Sequence, residues 1–291
     1  MRVNLVSGGI DSYIMSQEYH GTNVYVDFGQ QYKNEEISAL KNLGVDFDII
    51  KLTSKFQMNG IFVNNRNLTL ASVVSMVYSP DEIFMAGLKD DNCIDKTESE
   101  FERMSEIISR YSIKPVKVIS PYWHKTKGDI IAGFKDKQSL LKTFSCYNPI
   151  NSKPCGNCPA CLRKVIALET NGVNTGIKLS DNIIKEYLQK IHKYDQDRIS
   201  RFFIYLNKIS KVYAVDIDGV LCKEENKPYA EREFLTDINQ KGYKVLYTSR
   251  LEMDRQVTEE WLKKHKIKYD ALIMNKLPYS VLIDDRAKVR E

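Results

Sequence analysis

Up to about residue 140 the chain alternates short apolar runs rich in β-branched residues with longer amphipathic stretches. The runs Val3–Val6, Asn23–Phe28, Phe47–Lys51, Glu82–Ala86 and Val116–Ile119 read as strands. Between them, Asp11–Glu18, Asn34–Leu43, Leu68–Val77, Glu98–Ser109 and Lys127–Phe134 carry helical patterns. Such switching of period implies βαβ units and a parallel sheet covered on both faces. Ligands of such sheets sit at the carboxyl ends of the strands. A cysteine-rich segment breaks the pattern. Asp181–Ile209 then reads as one or two helices, with Ile184, Leu188 and Ile191 at helical spacing, suited to packing and linkage. From Lys211 a smaller alternation begins: strand Val212–Ile217, helix Ala230–Lys241, strand Tyr243–Thr248, helix Arg255–His265, and strands Ala271–Met274 and Val281–Asp284. The expected class is α/β. The expected domains are residues 1–180 and 210–291, joined by a helical linker at 181–209.

Composition changes this picture little. The chain has 291 residues, 43% hydrophobic and 28% charged, ordinary values for a globular protein with room for two cores. The formal charge of +5 is spread along the chain, so it permits nucleotide contact without arguing for nucleic acid. No apolar run reaches the ~20 residues of a membrane span, and the N-terminus shows no signal-peptide core. Four cysteines sit at metal spacing, and Cys93 and Cys222 stand apart, which points to a reduced compartment. The expected location is cytoplasmic.

Three motifs carry chemistry. Ser7-Gly8-Gly9-Ile10-Asp11-Ser12 follows the first strand and runs into a helix. Its glycines allow close backbone approach, and the free N–H groups at the helix start point at an anion. No Walker lysine is present, so the loop resembles the pyrophosphatase-type P-loop (PP-loop) of enzymes that cleave ATP between the α and β phosphates. Asp11 is then a magnesium-side or ribose-side residue. Second, Cys146, Cys155, Cys158 and Cys161 are spaced as Cys-x8-Cys-x2-Cys-x2-Cys, which fits a closed, structural zinc knuckle. Third, Asp216-Ile217-Asp218-Gly219 follows the apolar strand that opens the second domain.

Residues 1–170 resemble the 7-cyano-7-deazaguanine synthase family. The resemblance rests on Ser7–Ser12, Asp27-Phe28-Gly29-Gln30, Arg66-Asn67, Ser120-Pro121 with Lys127, and the cysteine block flanked by Thr143, Ser145, Tyr147 and Arg163. It implies a PP-loop fold with a zinc knuckle, and ATP-dependent conversion of 7-carboxy-7-deazaguanine with ammonia. The carboxylate is adenylated, ammonia displaces AMP, and a second ATP dehydrates the amide to the nitrile. Carried onto this chain, Ser7, Gly8, Gly9, Asp11 and Ser12 bind the pyrophosphate, Arg66 and Lys127 balance phosphate charge, and the four cysteines hold zinc. The chain departs from the family at Ile94-Asp95-Lys96-Thr97-Glu98, where the family carries Tyr-Pro-Asp-Cys followed by Arg, and at Gln31-Tyr32. These departures support a competing reading in which a deazaguanine is joined to a protein or nucleic acid, as in phage DNA modification or antiphage defence. Expected partners are therefore the small deazaguanine and ammonia, a macromolecular acceptor under the competing reading, no membrane, and a second copy in a homodimer.

The second domain resembles the haloacid-dehalogenase-like phosphatases, small Rossmann-like folds. Asp216-Ile217-Asp218, Thr248, Lys276 and Asp284-Asp285 appear in the family's order. The resemblance makes Asp216 the nucleophile, Asp218 the general acid, and Thr248 and Lys276 the ligands of the phosphoryl oxygens. Asp216, Asp218, Asp284 and Asp285 crowd carboxylates in a way that favours Mg²⁺. The expected cofactors are ATP, Zn²⁺ and Mg²⁺.

Overall fold

The structure is a computed structural model and describes residues 1–52, 58–59, 62–91, 93–223, 226–238 and 241–276. The chain divides into two compact units, Met1–Ile184 with Tyr194–Tyr205, and Lys185–Lys193 with Leu206–Glu291. Each is described by itself.

Unit 1 is a doubly wound parallel sheet. In chain order its elements are β1 (Arg2–Leu5), α1 (Ile10–Glu18), β2 (Thr22–Asp27), α2 (Lys33–Asn42), β3 (Asp48–Lys51), the short antiparallel pair β4 (Met58–Asn59) and β5 (Phe62–Val63), α3 (Arg66–Tyr78), β6 (Glu82–Phe84), α4 (Glu98–Arg110), β7 (Lys117–Ile119), α5 (Lys127–Gly133) and α6 (Pro159–Glu169). The main sheet has the order β3-β2-β1-β6-β7, with every pair parallel. The order reverses between β1 and β6, the switch point where such sheets open a crevice. Alternation along the strands feeds two cores. Val3, Leu5, Val24, Val26 and Ile83 pack with α3 and α4, while Tyr25 and Phe84 pack with α1, α2, α5 and α6. Helix α1 buries Ile10, Tyr13, Ile14 and Met15 together with Ser12 and Ser16, so it has almost no solvent face. The strand and helix patterns expected up to residue 140 match these elements to within two residues at most ends.

The segment 181–209 forms two helices, α7 (Asp181–Gln189) and α8 (Gln196–Ile209). Unit 2 contains β8 (Val212–Val215), β9 (Tyr243–Tyr247), α9 (Arg255–Lys264) and β10 (Ala271–Ile273), with the three strands parallel in the order β10-β9-β8. Trp261 and Leu262 of α9 pack with Ile217, Leu246 and Leu272 in its core.

One expected element is absent. Within the described part of Ala230–Lys241 there is a single 3-10 turn, Tyr229–Glu231, followed by extended chain. The backbone there bonds across rather than along itself. Lys223 N–H donates to the Glu233 carbonyl at 3.0 Å and Leu235 N–H to the Leu221 carbonyl at 2.8 Å. The Trp261 indole N–H takes the Arg232 carbonyl at 2.9 Å. Tertiary partners thus outcompete the i−4 carbonyls, a normal override of weak propensity. The expected strand Val281–Asp284 lies outside the described residues.

Candidate active site and four-cysteine centre

The loop after β1 is shaped by side-chain hydroxyls and one glycine. Ser12 Oγ accepts from the Ser7 N–H at 3.1 Å and lies 3.2 Å from Ser7 Oγ. Gly8 has φ +69°, and a Cβ there would lie 2.7 Å from the Glu36 carbonyl oxygen. Only glycine allows this turn. We expect Gly8→Ala to force the loop open and to weaken ATP binding by tenfold or more, a loss of about 1.4 kcal/mol. Titration calorimetry with ATP checks this, and unchanged affinity would count against the loop as a nucleotide site.

A cavity of about 280 Å³ lies at the carboxyl ends of β1, β2 and β6. Ser7, Gly9, Asp11, Ser12, Arg66 and Lys127 all line it, so the structure brings the expected nucleotide residues together, with Gly8 beneath them. Lys127 stands at the first position of α5, whose start is fixed by a reciprocal cap between Thr126 and Asp129. Its ammonium sits 2.7 Å from both oxygens of Asp11.

Sequence reasoning missed the rest of the charge at this site. Arg163 bonds Asp91 and lies 3.2 Å from Asp90, and Lys96 lies 3.2 Å from Asp91. Both aspartates are buried. Burial works to raise the Asp91 carboxyl, but Lys96 and Arg163 hold it well below the usual carboxylate range. Burial and Lys127 push the neighbouring Lys164 down to about 8. Arg163 Nε is buried without a hydrogen-bond partner, and Nη2 has the ion pair with Asp90. Lys96 comes from the divergent Ile94–Glu98 segment, while Ile94 itself is exposed. The adjacent pairs Asp90-Asp91 and Arg163-Lys164 were visible in the sequence, but their pairing across 72 positions was not.

The cysteine segment forms the far wall of the same cavity through Tyr147, Ala160, Arg163 and Lys164. The Sγ atoms of Cys146, Cys155, Cys158 and Cys161 lie within 4.8 Å of one another. A tetrahedral zinc with ~2.3 Å bonds needs sulfurs about 3.8 Å apart, so the set fits the ion. Backbone N–H groups already face the sulfurs: Cys155 N–H to Cys146, Asn157 N–H to Cys155 and Cys161 N–H to Cys158, at 3.3 to 3.4 Å. Cys158 caps α6, and a hydrogen bond from Cys161 pulls its thiol down to about 5, the ionised form a metal requires. Gly156, at φ +66°, lets the knuckle pass against the Lys178 carbonyl.

Residues 50–172 match the family model described as Queuosine biosynthesis protein QueC. The chain is similar to the 7-cyano-7-deazaguanine synthase of Marinomonas sp. (strain MWYL1), 24% identical over 58% of this chain and 94% of that protein. It is similar to the enzyme of the same name from Methanococcus maripaludis, 23% identical over 58% of this chain and 94% of the relative. With that of Brucella ovis it shares 26% identity over 61% of this chain and 92% of the relative. The QueC match covers α3 through α6, hence Arg66, the acidic pair, Lys127 and the whole cysteine centre. Among the described residues no helix is long and apolar enough to cross a membrane.

In unit 2, Asp216, Thr248 and Lys276 converge at the carboxyl ends of β8, β9 and β10. The Lys276 N–H donates to the Thr248 carbonyl at 2.9 Å, and its ammonium bonds Asp216 Oδ2. Asp218 has different company. Arg250, almost fully buried, grips both its oxygens at 2.9 and 2.7 Å, and Arg232 adds a bond at 2.6 Å. Burial works to raise the Asp218 carboxyl, but Arg250 holds it below its ordinary value. In this arrangement Asp218 anchors two arginines. Tyr229 lies under both guanidinium groups, 4.1 and 4.7 Å from its ring centre. Asp216 is likewise occupied, by Lys276 and by the Ile217 N–H. Asp284 and Asp285, the other two carboxylates expected at a magnesium site, lie outside the described residues.

Proposed function

We propose that unit 1 uses ATP to adenylate the carboxylate of 7-carboxy-7-deazaguanine, that ammonia displaces AMP to give the amide, and that a second ATP adenylates the amide oxygen so that its loss as AMP leaves 7-cyano-7-deazaguanine, each activation releasing pyrophosphate. One observation carries the reading. The Ser7–Ser12 loop, three lysines and the guanidinium groups of Arg66 and Arg163 line a single cavity. That charge suits a triphosphate whose transition state spreads negative charge over its oxygens. The similarity to proteins named 7-cyano-7-deazaguanine synthase supports the deazaguanine product, and the carboxylate substrate is what the family resemblance implies. ATP, with the zinc-type cysteine centre holding the far wall, are the cofactors this requires.

The residues have separable tasks. Backbone N–H groups of the loop and the start of α1 receive the phosphates. Arg163, held between Asp90 and Asp91, adds positive charge to the wall, and Lys127 is released from Asp11 as phosphate oxygens arrive. Zinc, when bound, crosslinks the four thiolates and so fixes the wall bearing Tyr147, Arg163 and Lys164. Incubation with ATP, Mg²⁺, 7-carboxy-7-deazaguanine and ammonium, followed by mass spectrometry, tests the reading. Nitrile together with AMP supports it. AMP with a stalled adenylate or amide would favour transfer to a protein or nucleic acid, and no AMP under any condition would sink the substrate assignment.

For unit 2 we propose a phosphoryl-binding site of the haloacid-dehalogenase type, centred on Asp216, Thr248 and Lys276. The expected result is slow hydrolysis of an aryl phosphate by the full chain, lost in Asp216→Asn. Turnover that survives this substitution would remove Asp216 as nucleophile.

A further inference from the structure

Glu36 is the acid in the unit 1 cavity that the steps above leave unused. It projects from α2, and its own carbonyl oxygen is the atom that confines Gly8, so α2 and the phosphate loop share one wall. Its surroundings differ from those of every other acid there. Asp11 in the lining, and Asp90 and Asp91 behind Arg163, each face a cation, whereas among the described residues Glu36 takes hydrogen bonds from neutral groups. Tyr25 Oη donates to Glu36 Oε2 at 2.7 Å and Gln30 Nε2 donates to the same oxygen at 3.1 Å. Gln30 is in turn held by the Phe28 N–H at 3.0 Å. Both donors fall on Oε2, no hydrogen bond among the described residues reaches Oε1, and Glu36 lines the cavity. A carboxylate fixed at one oxygen and open at the other is arranged to accept a proton.

We propose that Glu36 is the general base of the carbon–nitrogen bond-forming step. This rests on reading unit 1 as a carboxylate-activating site. Ammonia forms a bond from nitrogen to the acyl carbon, the carbon–oxygen bond to AMP breaks, and AMP leaves with the electron pair. The nitrogen then carries one proton too many. Glu36 Oε1 takes it, which gives the neutral amide and a carboxylic acid that returns the proton to solvent. A nitrile product calls on the base again. Once the amide oxygen is adenylated, loss of AMP is balanced by loss of both N–H protons, one to Glu36 and one to water.

The surroundings tune the group for this task. Burial pushes Glu36 up to about 7, and the Tyr25 and Gln30 hydrogen bonds pull the other way. Arg66 from α3 also lowers it and Glu35 on its own helix raises it, while Tyr32 packs alongside. A base poised near the working pH combines availability with driving force.

The test uses the full zinc-loaded chain, with Glu36→Gln and Tyr25→Phe. Three readouts are needed: carboxylate-dependent exchange of pyrophosphate into ATP, product formation with ammonium from pH 6 to 9, and hydroxamate formation with hydroxylamine. Glu36→Gln should keep the exchange within about twofold and lose ammonium-dependent product by roughly 10²–10⁴-fold. Its pH profile should lose the limb near 7. Hydroxylamine yields a more acidic adduct that sheds its proton to water, so the defect with it should be smaller. Tyr25→Phe removes a bond that favours the carboxylate, so the limb should move to higher pH, a shift that a purely structural role would not produce. Exchange lost together with product, or an unmoved limb, would overturn the assignment. If the parent chain shows no carboxylate-dependent exchange, the activation reading falls and this inference with it. Normal exchange in the parent with undiminished product in Glu36→Gln overturns the inference alone.

Discussion

Stripping the four-cysteine centre with a strong chelator is expected to release one zinc per chain, lower the melting temperature and abolish ATP binding together. Structural zinc contributes about 10–16 kcal/mol in small peptides, and where the segment has little core of its own that binding energy is folding energy. The stretch from Cys146 to Cys155 has that character, being turns and a single bridge between Ile150 and Lys153. Four sulfurs this close also cannot all ionise without a cation, and Cys161 is accordingly driven far up while Cys158 is drawn down. The loss should reach the nucleotide because the same segment supplies Tyr147, Arg163 and Lys164 to the cavity. Elemental analysis with parallel melting and ATP titration would decide it. Metal-free protein that still binds ATP normally would separate the two sites.

Arg163→Met should be the most damaging single change in unit 1. It removes the guanidinium from two buried carboxylates and leaves Asp91 with Lys96 as its ion-pair partner among the described residues. Breaking a buried pair from one side costs about 3–5 kcal/mol, because the surviving charge is left uncompensated. The sign of the pH dependence follows from Asp91. Its folded value is depressed, so its contribution is fully present above the ordinary carboxylate value and is lost as pH falls through the folded one. In Arg163→Met that depression shrinks and acid unfolding should begin at higher pH. Urea melts at pH 7 and pH 4 measure both effects. A variant as stable as the parent at pH 7 would show that Lys96 alone suffices. Adding Asp90→Asn to Arg163→Met, with Asp91 kept for Lys96, should recover part of the stability without recovering ATP affinity.

The sequence by itself determined the α/β class, the strand-to-loop position of Ser7–Ser12 and the zinc-type cysteine spacing. These are local facts, since period, glycine placement and ligand spacing are all written within a few residues. Unit 2 shows where local signals end. Glu231-Arg232-Glu233 and the apolar residues after it carry a helical pattern, but the chain is drawn out because Leu221, Lys223 and Trp261 offer its backbone better partners. Likewise the place of Asp218 two residues after Asp216 is legible, but not that Arg250 from beyond β9 closes on it. Only the tertiary structure decided these points, along with the pairing of Arg163 to the acidic pair and the placing of Glu36 among neutral donors. The physical reason is common to all of them. The charge state of a buried group depends on how much water it loses and on which partner replaces that water, and those partners come from distant parts of the chain.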